Sequence, residues 1–416
     1  MLPRLDLFKS EFFRNVSYQM VGTGVAQLIP FMASPLLTRL YTEDDFAVYT
    51  SFFAIASILA VGVGGRYQFA IVLPKKNSEA IRIFTLSIYL TIFYAIILLI
   101  AAWSIRSSLS ETYKSIVFFI PPYVLIFGIW TSFSYLSVRE KTFFHNASAK
   151  VLQSLLYIAS SIALGALRVT SFGLVIGKIS GVIISWLYLQ RKSRIKFVYT
   201  KLRELHYVAK AYVEYPKYGF IPAFLDIASV QGIILILSKF YTMGELGSFG
   251  LTTLILSAPL GLISGSFKDV FYQKIVTLIN RAEFAEASSF YKKSAIGLVM
   301  VGLPVWAIIF FFGPEIFSFV FGEQWVRSGE FASILSFSFL IQLVVSPLSS
   351  IFNAANKLKI ASIWQTLYFF STFLTLGVSA SVLKINVNDL LYVYVVHEVI
   401  LYSIYFLMQF WTLKRL

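Results

Sequence analysis

The 416-residue sequence predicts an all-α integral membrane protein with about twelve transmembrane helices, arranged as two parallel six-helix lobes around a central cavity. Three observations lead to this prediction. The composition is 58% hydrophobic and only 13% charged, whereas ordinary soluble domains carry about 25% charged residues. Apolar runs of about 20 residues, the length that crosses a bilayer core, recur along the chain. A short motif also recurs half-way along.

Twelve apolar runs are long enough to span a bilayer. In chain order the predicted spans are 16–37, 46–72, 79–103, 115–137, 146–167, 170–190, 216–239, 246–267, 291–313, 329–352, 358–382 and 389–412. A β-barrel would show weak alternation over strands of about 10 residues, and these runs are unbroken. The even number of spans places both termini on the same side of the membrane.

Lysine and arginine residues indicate which side that is. Of the 35, 26 fall before span 1, after span 12, or in or next to loops on the N-terminal side, and 7 fall in or next to the opposite loops. The remaining two, Arg66 and Lys178, lie further inside predicted spans. Acidic residues divide evenly between the sides, as expected when only Lys and Arg set topology. Both termini are therefore predicted to be cytoplasmic, and the net charge of +15 reflects orientation rather than nucleic-acid binding.

The recurring motif is the basis of the two-lobe prediction. Residues 37–42, Leu-Thr-Arg-Leu-Tyr-Thr, are echoed 200 positions later by Leu-Ser-Lys-Phe-Tyr-Thr at 237–242. Both copies stand at the outer end of the first span of a lobe. Six spans per lobe leave the two lobes in the same orientation, so the repeat is parallel.

The longest basic loop separates the two copies. We predict an N-lobe over 1–190, a basic cytoplasmic linker over 191–215 and a C-lobe over 216–416. The linker is expected to act as a topology determinant and amphipathic connector. Its basic residues could also contact anionic lipid headgroups.

Polar residues follow one face of several predicted spans. Those assigned to the cavity lining are Asn15, Gln19, Thr23 and Gln27 on span 1, Ser229 on span 7, and Tyr394 and Tyr402 on span 12. On span 1 they are spaced by four residues, which places them on one helix face. The alternative is that they form hydrogen bonds to neighbouring helices.

Three cations are candidates for binding an anionic substrate: Arg66, Lys178 and Lys268. Charged groups inside a bilayer are costly and usually face a protein interior or a hydrated cavity. Arginine binds phosphate through a planar fork of donors. The alternative for Arg66 and Lys268, which are expected at similar depth toward the cytoplasm, is snorkelling to the inner interface.

Two acidic residues, Asp226 and Glu398, are predicted to lie about ten residues in from the cytoplasmic face. A carboxyl group in a low-dielectric cavity can take up and release a coupling ion. The alternative is a permanent salt bridge from either residue to Lys178 or Arg66. With no cysteine and three scattered histidines, the sequence suggests no metal site and no cofactor.

Two stretches resemble a known family. The run from Arg39 to Pro74, RLYTEDDFAVYTSFFAIASIL followed by GRYQFAIVLP, is similar to the start of bacterial O-antigen flippases of the Wzx type. Phe321 to Trp325 matches the FGxxW loop of the same polysaccharide-transporter branch. That branch belongs to the multidrug/oligosaccharidyl-lipid/polysaccharide (MOP) exporter superfamily, which also contains the multidrug and toxic-compound extrusion (MATE) transporters.

The resemblance implies a flippase in the bacterial inner membrane that moves an undecaprenyl-pyrophosphate-linked oligosaccharide from the cytoplasmic to the periplasmic leaflet by alternating access. Arg66 is the residue carried over as a functional cation. Coupling to H⁺ or Na⁺ is an expectation for the family. Expected partners are the lipid-linked oligosaccharide, membrane lipids and polysaccharide polymerase or chain-length machinery, with no nucleic acid.

Three other functions remain open. An ion-coupled multidrug exporter would share the fold, and the charges of the candidate residues do not separate it from a flippase. A peptidoglycan-precursor flippase usually has more spans than the twelve predicted here. A polysaccharide polymerase or ligase needs a sizeable external loop with catalytic groups, and the longest predicted external loop, Gly313–Ser328, holds little acid/base chemistry.

Overall fold

The computed structural model describes residues 11–195 and 200–414, and the side chains of 11–16, 112, 170, 171, 266 and 269 lie outside the described part. Within these ranges the chain is helical and contains no strand. The α-helices are α1 Glu11–Leu40, α2 Glu43–Ala60, α3 Asn77–Ile105, α4 Glu111–Arg139, α5 Phe143–Ala166, α6 Thr170–Lys192, α7 Leu202–Ala211, α8 Glu214–Phe240, α9 Met243–Asn280, α10 Phe284–Phe321, α11 Val326–Leu348, α12 Ile351–Ala354, α13 Leu358–Ser381 and α14 Val387–Lys414.

Ten helices in the described ranges are long and apolar enough to cross a membrane, and a bent pair formed by α2 and the 3₁₀ helix Val63–Val72 would make eleven. The predicted all-α membrane fold is confirmed. The predicted span 358–382 is present as helix α13 but is not among these helices, because Gln365, Thr366 and a series of serines and threonines dilute its apolar character.

Helices α9 and α10 each run for 38 residues, about 57 Å at 1.5 Å per residue. They therefore extend well beyond the predicted spans 246–267 and 291–313. The prediction of an external loop over Gly313–Ser328 is wrong, because α10 continues to Phe321 after a local irregularity at Phe312. Gly322, with φ of 109°, ends the helix, since a left-handed residue cannot continue it.

The described helices form two compact units. The N-terminal unit comprises Met1–Ala33 and Val48–Ile227, and the C-terminal unit comprises Ser34–Ala47 and Ala228–Leu416. Helix α1 therefore begins in the first unit and ends in the second, and so does α8. The lobe boundaries predicted from the sequence at 190 and 216 stay predictions.

The two copies of the repeated motif have the same local structure, and both belong to the C-terminal unit. The Thr42 hydroxyl donates to Asp45 Oδ2 at 2.9 Å and accepts from the Asp45 amide. The Thr242 hydroxyl makes the equivalent pair with Glu245, also at 2.9 Å. These are capping boxes, in which a side chain at the start of a helix satisfies unpaired backbone donors. The echo therefore encodes one helix start, used at both α2 and α9.

Candidate functional site

Helix α2 does not continue through the predicted span 46–72. It ends at Ala60, and the 3₁₀ helix Val63–Val72, here called the Arg66 segment, follows at a bend of 61°. Gly64, Gly65 and Arg66 all have left-handed backbones, with φ of 57°, 55° and 67°. Glycine adopts this conformation without a steric penalty, which explains why the chain can leave the α-helix here. The prediction of a continuous span is wrong at this point.

Arg66 itself is held in a strained conformation, since the left-handed region costs a non-glycine residue about 1–2 kcal/mol. Its guanidinium carbon lies 4.2 Å from the centre of the Phe69 ring. Its Nε is buried and has no hydrogen-bond partner, and it would lie 3.7 Å from a Cβ placed on Gly219. No described carboxylate is within salt-bridge distance. Arg66 is thus a half-buried cation whose charge is balanced by no described anion.

Lys178 lies on α6 in the same unit and is also surrounded by aromatic groups. Its Nζ is 5.1 Å from the centre of the Phe53 ring and 5.4 Å from that of Tyr157. Tyr157 in turn stacks on Tyr49, with ring centres 6.0 Å apart. Cation–π contacts of this kind offset part of the cost of burying an ammonium group. They leave the charge free to bind an anion.

A third cation was not identified from the sequence. Lys150 falls in the second turn of α5, where its position near a predicted cytoplasmic loop makes it resemble a topology determinant. The structure places it half-buried, with Nζ donating to Thr23 Oγ1 at 3.0 Å. Its hydrogen bond to a polar residue of α1 distinguishes Lys150 from a loop cation. That hydrogen bond is visible only in the structure.

One face of α5 connects these groups. Lys150, Ser154 and Tyr157 are spaced i, i+4, i+7, so they share a side of the helix. Ser154 donates to the carbonyl oxygen of Ala26 at 2.7 Å, one turn along α1 from Thr23. Lys150 and Tyr157 are separated by about 10 Å along the helix axis. The N-terminal unit therefore carries two lysines along one helix interface and Arg66 on the broken span.

Two other predicted lining residues of α1 have described side chains. Gln19 is half-buried and Gln27 is exposed. The side chain of Asn15 lies outside the described residues. Of the three described side chains, that of Thr23 is the one for which the structure gives a contact to a lysine within a candidate span.

The C-terminal unit contains a buried acid instead. Glu398 on α14 is 0% exposed. Its Oε2 accepts a hydrogen bond from Gln342 Nε2 at 3.0 Å, and its Oε1 lies 3.6 Å from His397 Nδ1 with no hydrogen-bond partner. The predicted lining residue Tyr394 and the additional residue Tyr368 are close enough to interact electrostatically with the carboxylate. The acid is therefore enclosed by polar and aromatic side chains.

The remaining predicted residues are more scattered. Asp226 is exposed and belongs to the N-terminal unit, so it does not share the enclosure of Glu398. Ser229 is buried on α8, and Tyr402 packs edge-on against Trp364 in the C-terminal unit. Lys268 is exposed on α9. Because α9 runs as an unbroken helix where the N-terminal unit has the Arg66 segment, the second lobe does not reproduce the surroundings of Arg66.

The two stretches that carry the sequence resemblance contact each other. The carbonyl oxygen of Thr38 accepts hydrogen bonds from Gln324 Nε2 at 2.9 Å and Trp325 Nε1 at 3.2 Å. The Trp325 ring packs edge-on against Phe46 at 4.9 Å. All four residues belong to the C-terminal unit, so the motifs form one structural contact at the end of α1.

Solved structures with the same fold are membrane transporters. The lipid II flippase MurJ in an inward closed conformation aligns with a TM-score of 0.77 at 14% identity, covering 94% of this chain and 86% of its own. A multidrug resistance MATE family transporter of the MOP superfamily, in an inward-facing conformation, aligns at 0.68 with 14% identity and 96% and 98% coverage. A MOP superfamily transporter from Pyrococcus furiosus, described as having a binding pocket of reverse polarity, aligns at 0.61 with 15% identity and 97% and 96% coverage.

The family of the chain follows from its sequence. No curated protein matches the chain significantly. The model of a family described as "Polysaccharide biosynthesis protein" matches residues 36–330, a range that contains both resemblance motifs and well over half of the chain. The family resemblance predicted from Arg39–Pro74 and Phe321–Trp325 is confirmed. The chain is a multi-pass membrane protein with the fold of MOP-superfamily transporters, and it belongs to the polysaccharide biosynthesis protein family.

Proposed function

We propose that the protein is a flippase that moves a polyprenyl-pyrophosphate-linked oligosaccharide, such as an undecaprenyl-linked O-antigen or similar repeat unit, from the cytoplasmic to the periplasmic leaflet of the bacterial inner membrane. The observation that carries the proposal is the set of three cations in the N-terminal unit. Lys150 and Lys178 lie in helices that are long and apolar enough to cross a membrane, and Arg66 lies in the bent pair that would form one further span. Their contacts in the structure are to aromatic rings and a threonine hydroxyl.

Cations in a bilayer are normally paired with acids, because an unpaired charge in a low-dielectric medium is costly. Three cations without such a partner among the described residues favour a ligand that brings its own negative charge. A pyrophosphate supplies that charge and several acceptor oxygens. Family membership and the MurJ-like fold support a lipid-linked ligand over a soluble one.

Each cation is suited to a different part of this task. The guanidinium of Arg66 presents a planar fork that matches two phosphate oxygens. Phe69 packs against one face of the fork and keeps it oriented. Lys150 and Lys178 offer compact ammonium groups with rotatable donors, which can follow a phosphate without a fixed geometry.

Glu398 supports ion coupling as part of the same proposal. It is a fully buried acid, and the oxygen that lies 3.6 Å from His397 Nδ1 has no hydrogen-bond partner. An anionic group in that position can bind a proton or Na⁺. Asp226 is exposed and is the weaker of the two predicted candidates. Cytoplasmic placement of both termini, from the lysine and arginine distribution, is also part of the proposal.

The alternative function is an ion-coupled multidrug exporter of the same fold, which Glu398 also suits because cationic drugs require acids. Deletion of the gene, followed by complementation, separates the two. The flippase proposal expects loss of surface polysaccharide, accumulation of lipid-linked oligosaccharide on the cytoplasmic leaflet and restoration by the intact gene. Unchanged surface polysaccharide together with altered efflux of cationic dyes would show that the exporter is correct.

A further inference from the structure

The unusual backbone of the Arg66 segment needs support from its surroundings. Strained conformations persist only where neighbouring contacts hold them in place. Two of those contacts come from residues close to the basic linker predicted over 191–215. The described parts of that linker are 191–195 and 200–215, and helix α7 lies within the second part.

Helix α7 is docked firmly on the N-terminal unit. Leu205 and Val208 are 5% and 0% exposed and belong to the same hydrophobic cluster as Tyr67 and Ile71 of the Arg66 segment. Glu204 forms a salt bridge with Arg82 on α3 at 3.3 Å. The short linker helix is therefore part of the folded unit and not a loose connection.

A second contact to α3 follows the helix. The Tyr212 hydroxyl donates to Glu79 Oε1 at 3.0 Å. Burial, and then this hydrogen bond, raises the pKa of Tyr212 above its ordinary value, so the hydroxyl keeps its proton and the bond persists across the physiological pH range.

A direct bond connects α7 with the residue next to Arg66. The Tyr67 hydroxyl donates to the carbonyl oxygen of Ala209 at 2.9 Å. Tyr67 is 7% exposed, and the bond joins residues 142 positions apart in the chain. Because a carbonyl near the C-terminal end of a helix has no intrahelical partner, Tyr67 satisfies an otherwise unpaired group on α7.

The other end of the Arg66 segment is connected with the linker through two consecutive residues. Arg139 Nη1 donates to the carbonyl oxygens of Ile71 and Pro74, at 3.1 and 2.8 Å. Its neighbour Glu140 accepts from the backbone amides of Arg194 and Ile195, at 3.1 and 3.0 Å. One dipeptide at the end of α4 therefore contacts both the segment and the start of the linker.

We propose that the described linker residues act as a strap that holds Arg66 in its left-handed, ligand-ready conformation, with Tyr67 and Glu140 as positioning residues. The functional consequence rests on the proposed role of Arg66 in binding a pyrophosphate. The contacts that form the strap lie within the N-terminal unit, so the strap can be tested independently of that role. The linker is then more than a connector between lobes, because its docking sets the geometry of a substrate contact.

Hydrogen–deuterium exchange of the purified protein tests the strap directly. In Tyr67→Phe and in Glu140→Ala, amides of residues 64–68 should exchange at least about fivefold faster, a change that corresponds to ~1 kcal/mol. Tyr241→Phe is the matched control, because its hydroxyl also donates to a backbone carbonyl, that of Ile385, at 2.8 Å, but in the C-terminal unit. Unchanged exchange at 64–68 in both test variants would overturn the strap.

Transport measured in the same variants separates the strap from the proposed function. The half-saturating substrate concentration should rise severalfold in Tyr67→Phe while the maximal rate is kept, because the binding geometry is loosened and no binding group is removed. Faster exchange with unaltered transport would show that the strap does not serve Arg66. Normal transport in Arg66→Glu would refute the role of Arg66 and leave the exchange result intact.

Discussion

The Trp325 indole donates a hydrogen bond to the backbone carbonyl of Thr38 at 3.2 Å, across 287 positions of sequence. Gln324 donates to the same oxygen. Thr38 stands in the last turn of α1, where carbonyl groups lack intrahelical partners. The repeated motif begins in the last turn of α1, and the FGxxW motif supplies hydrogen-bond donors to a carbonyl in that turn. This contact gives a physical reason for both motifs.

Replacing Trp325 should therefore destabilise the C-terminal unit. Trp325→Phe removes the donor and leaves a gap around a side chain that is 0% exposed. We expect a loss of about 1–3 kcal/mol, seen as a lower unfolding temperature in detergent. Trp306→Phe is the control, because the Trp306 Nε1 has no partner to lose. Equal destabilisation by the two changes would contradict a specific role for the Thr38 bond.

The left-handed backbone of Arg66 allows strain and function to be measured apart. Arg66→Gly and Arg66→Ala both remove the guanidinium, so both should abolish export. Glycine alone relieves the backbone strain, so Arg66→Gly should be about 1 kcal/mol more stable than Arg66→Ala. Thermal unfolding and a polysaccharide export assay give the two readouts. Full export in either variant would reduce Arg66 to a residue that snorkels to the interface.

Lys150 should matter for export more than for folding. Lys150→Met keeps the approximate length of the side chain and removes a half-buried charge, so the free energy of unfolding should be unchanged or slightly higher. Export should fall at least about tenfold. Lys268→Met is the comparison, because Lys268 is exposed on α9 and was predicted from sequence to bind the same substrate. An equal loss of export in both variants would contradict this distinction and would show that Lys268 also belongs to the substrate site.

We predict opposite outcomes for substitutions of the two acidic candidates for ion coupling. Glu398→Gln preserves the shape of the side chain and its contact with Gln342 but removes the charge, so export should stop responding to an imposed H⁺ or Na⁺ gradient. Asp226→Asn, at an exposed position, should keep that response. The measurement is uptake into inverted vesicles with and without the gradient. A gradient response that survives Glu398→Gln would exclude Glu398 as the coupling group.

Several elements were predictable because their signals are local. Hydropathy along the chain identified the runs that form α1, α3 to α6, α8 to α11 and α14. The echo at 237–242 indicated a repeat, and the structure shows that the repeated residues form a second capping box. The Phe321–Trp325 motif indicated the family over residues 36–330. None of these inferences required knowledge of which helices touch.

Other features depended on contacts between distant residues. Three glycines around positions 62–65 do not by themselves distinguish a packed helix from a break, and the contacts that Tyr67 and Arg139 make around the left-handed backbone join residues far apart in the chain. The sequence position of Lys150 is typical of a loop cation, and only the structure shows that Thr23 lies beside it.

Consecutive residues alone show that many apolar runs are long enough to cross a membrane, that a short motif recurs 200 positions later, and which family the chain belongs to, because apolar length and short motifs are local properties. Contacts between helices set which charges are enclosed. Asp226 and Glu398 have similar sequence surroundings, yet one is exposed and the other is fully buried. The difference arises because burial is set by the side chains that other helices bring to the same place, and no single stretch of sequence contains that information.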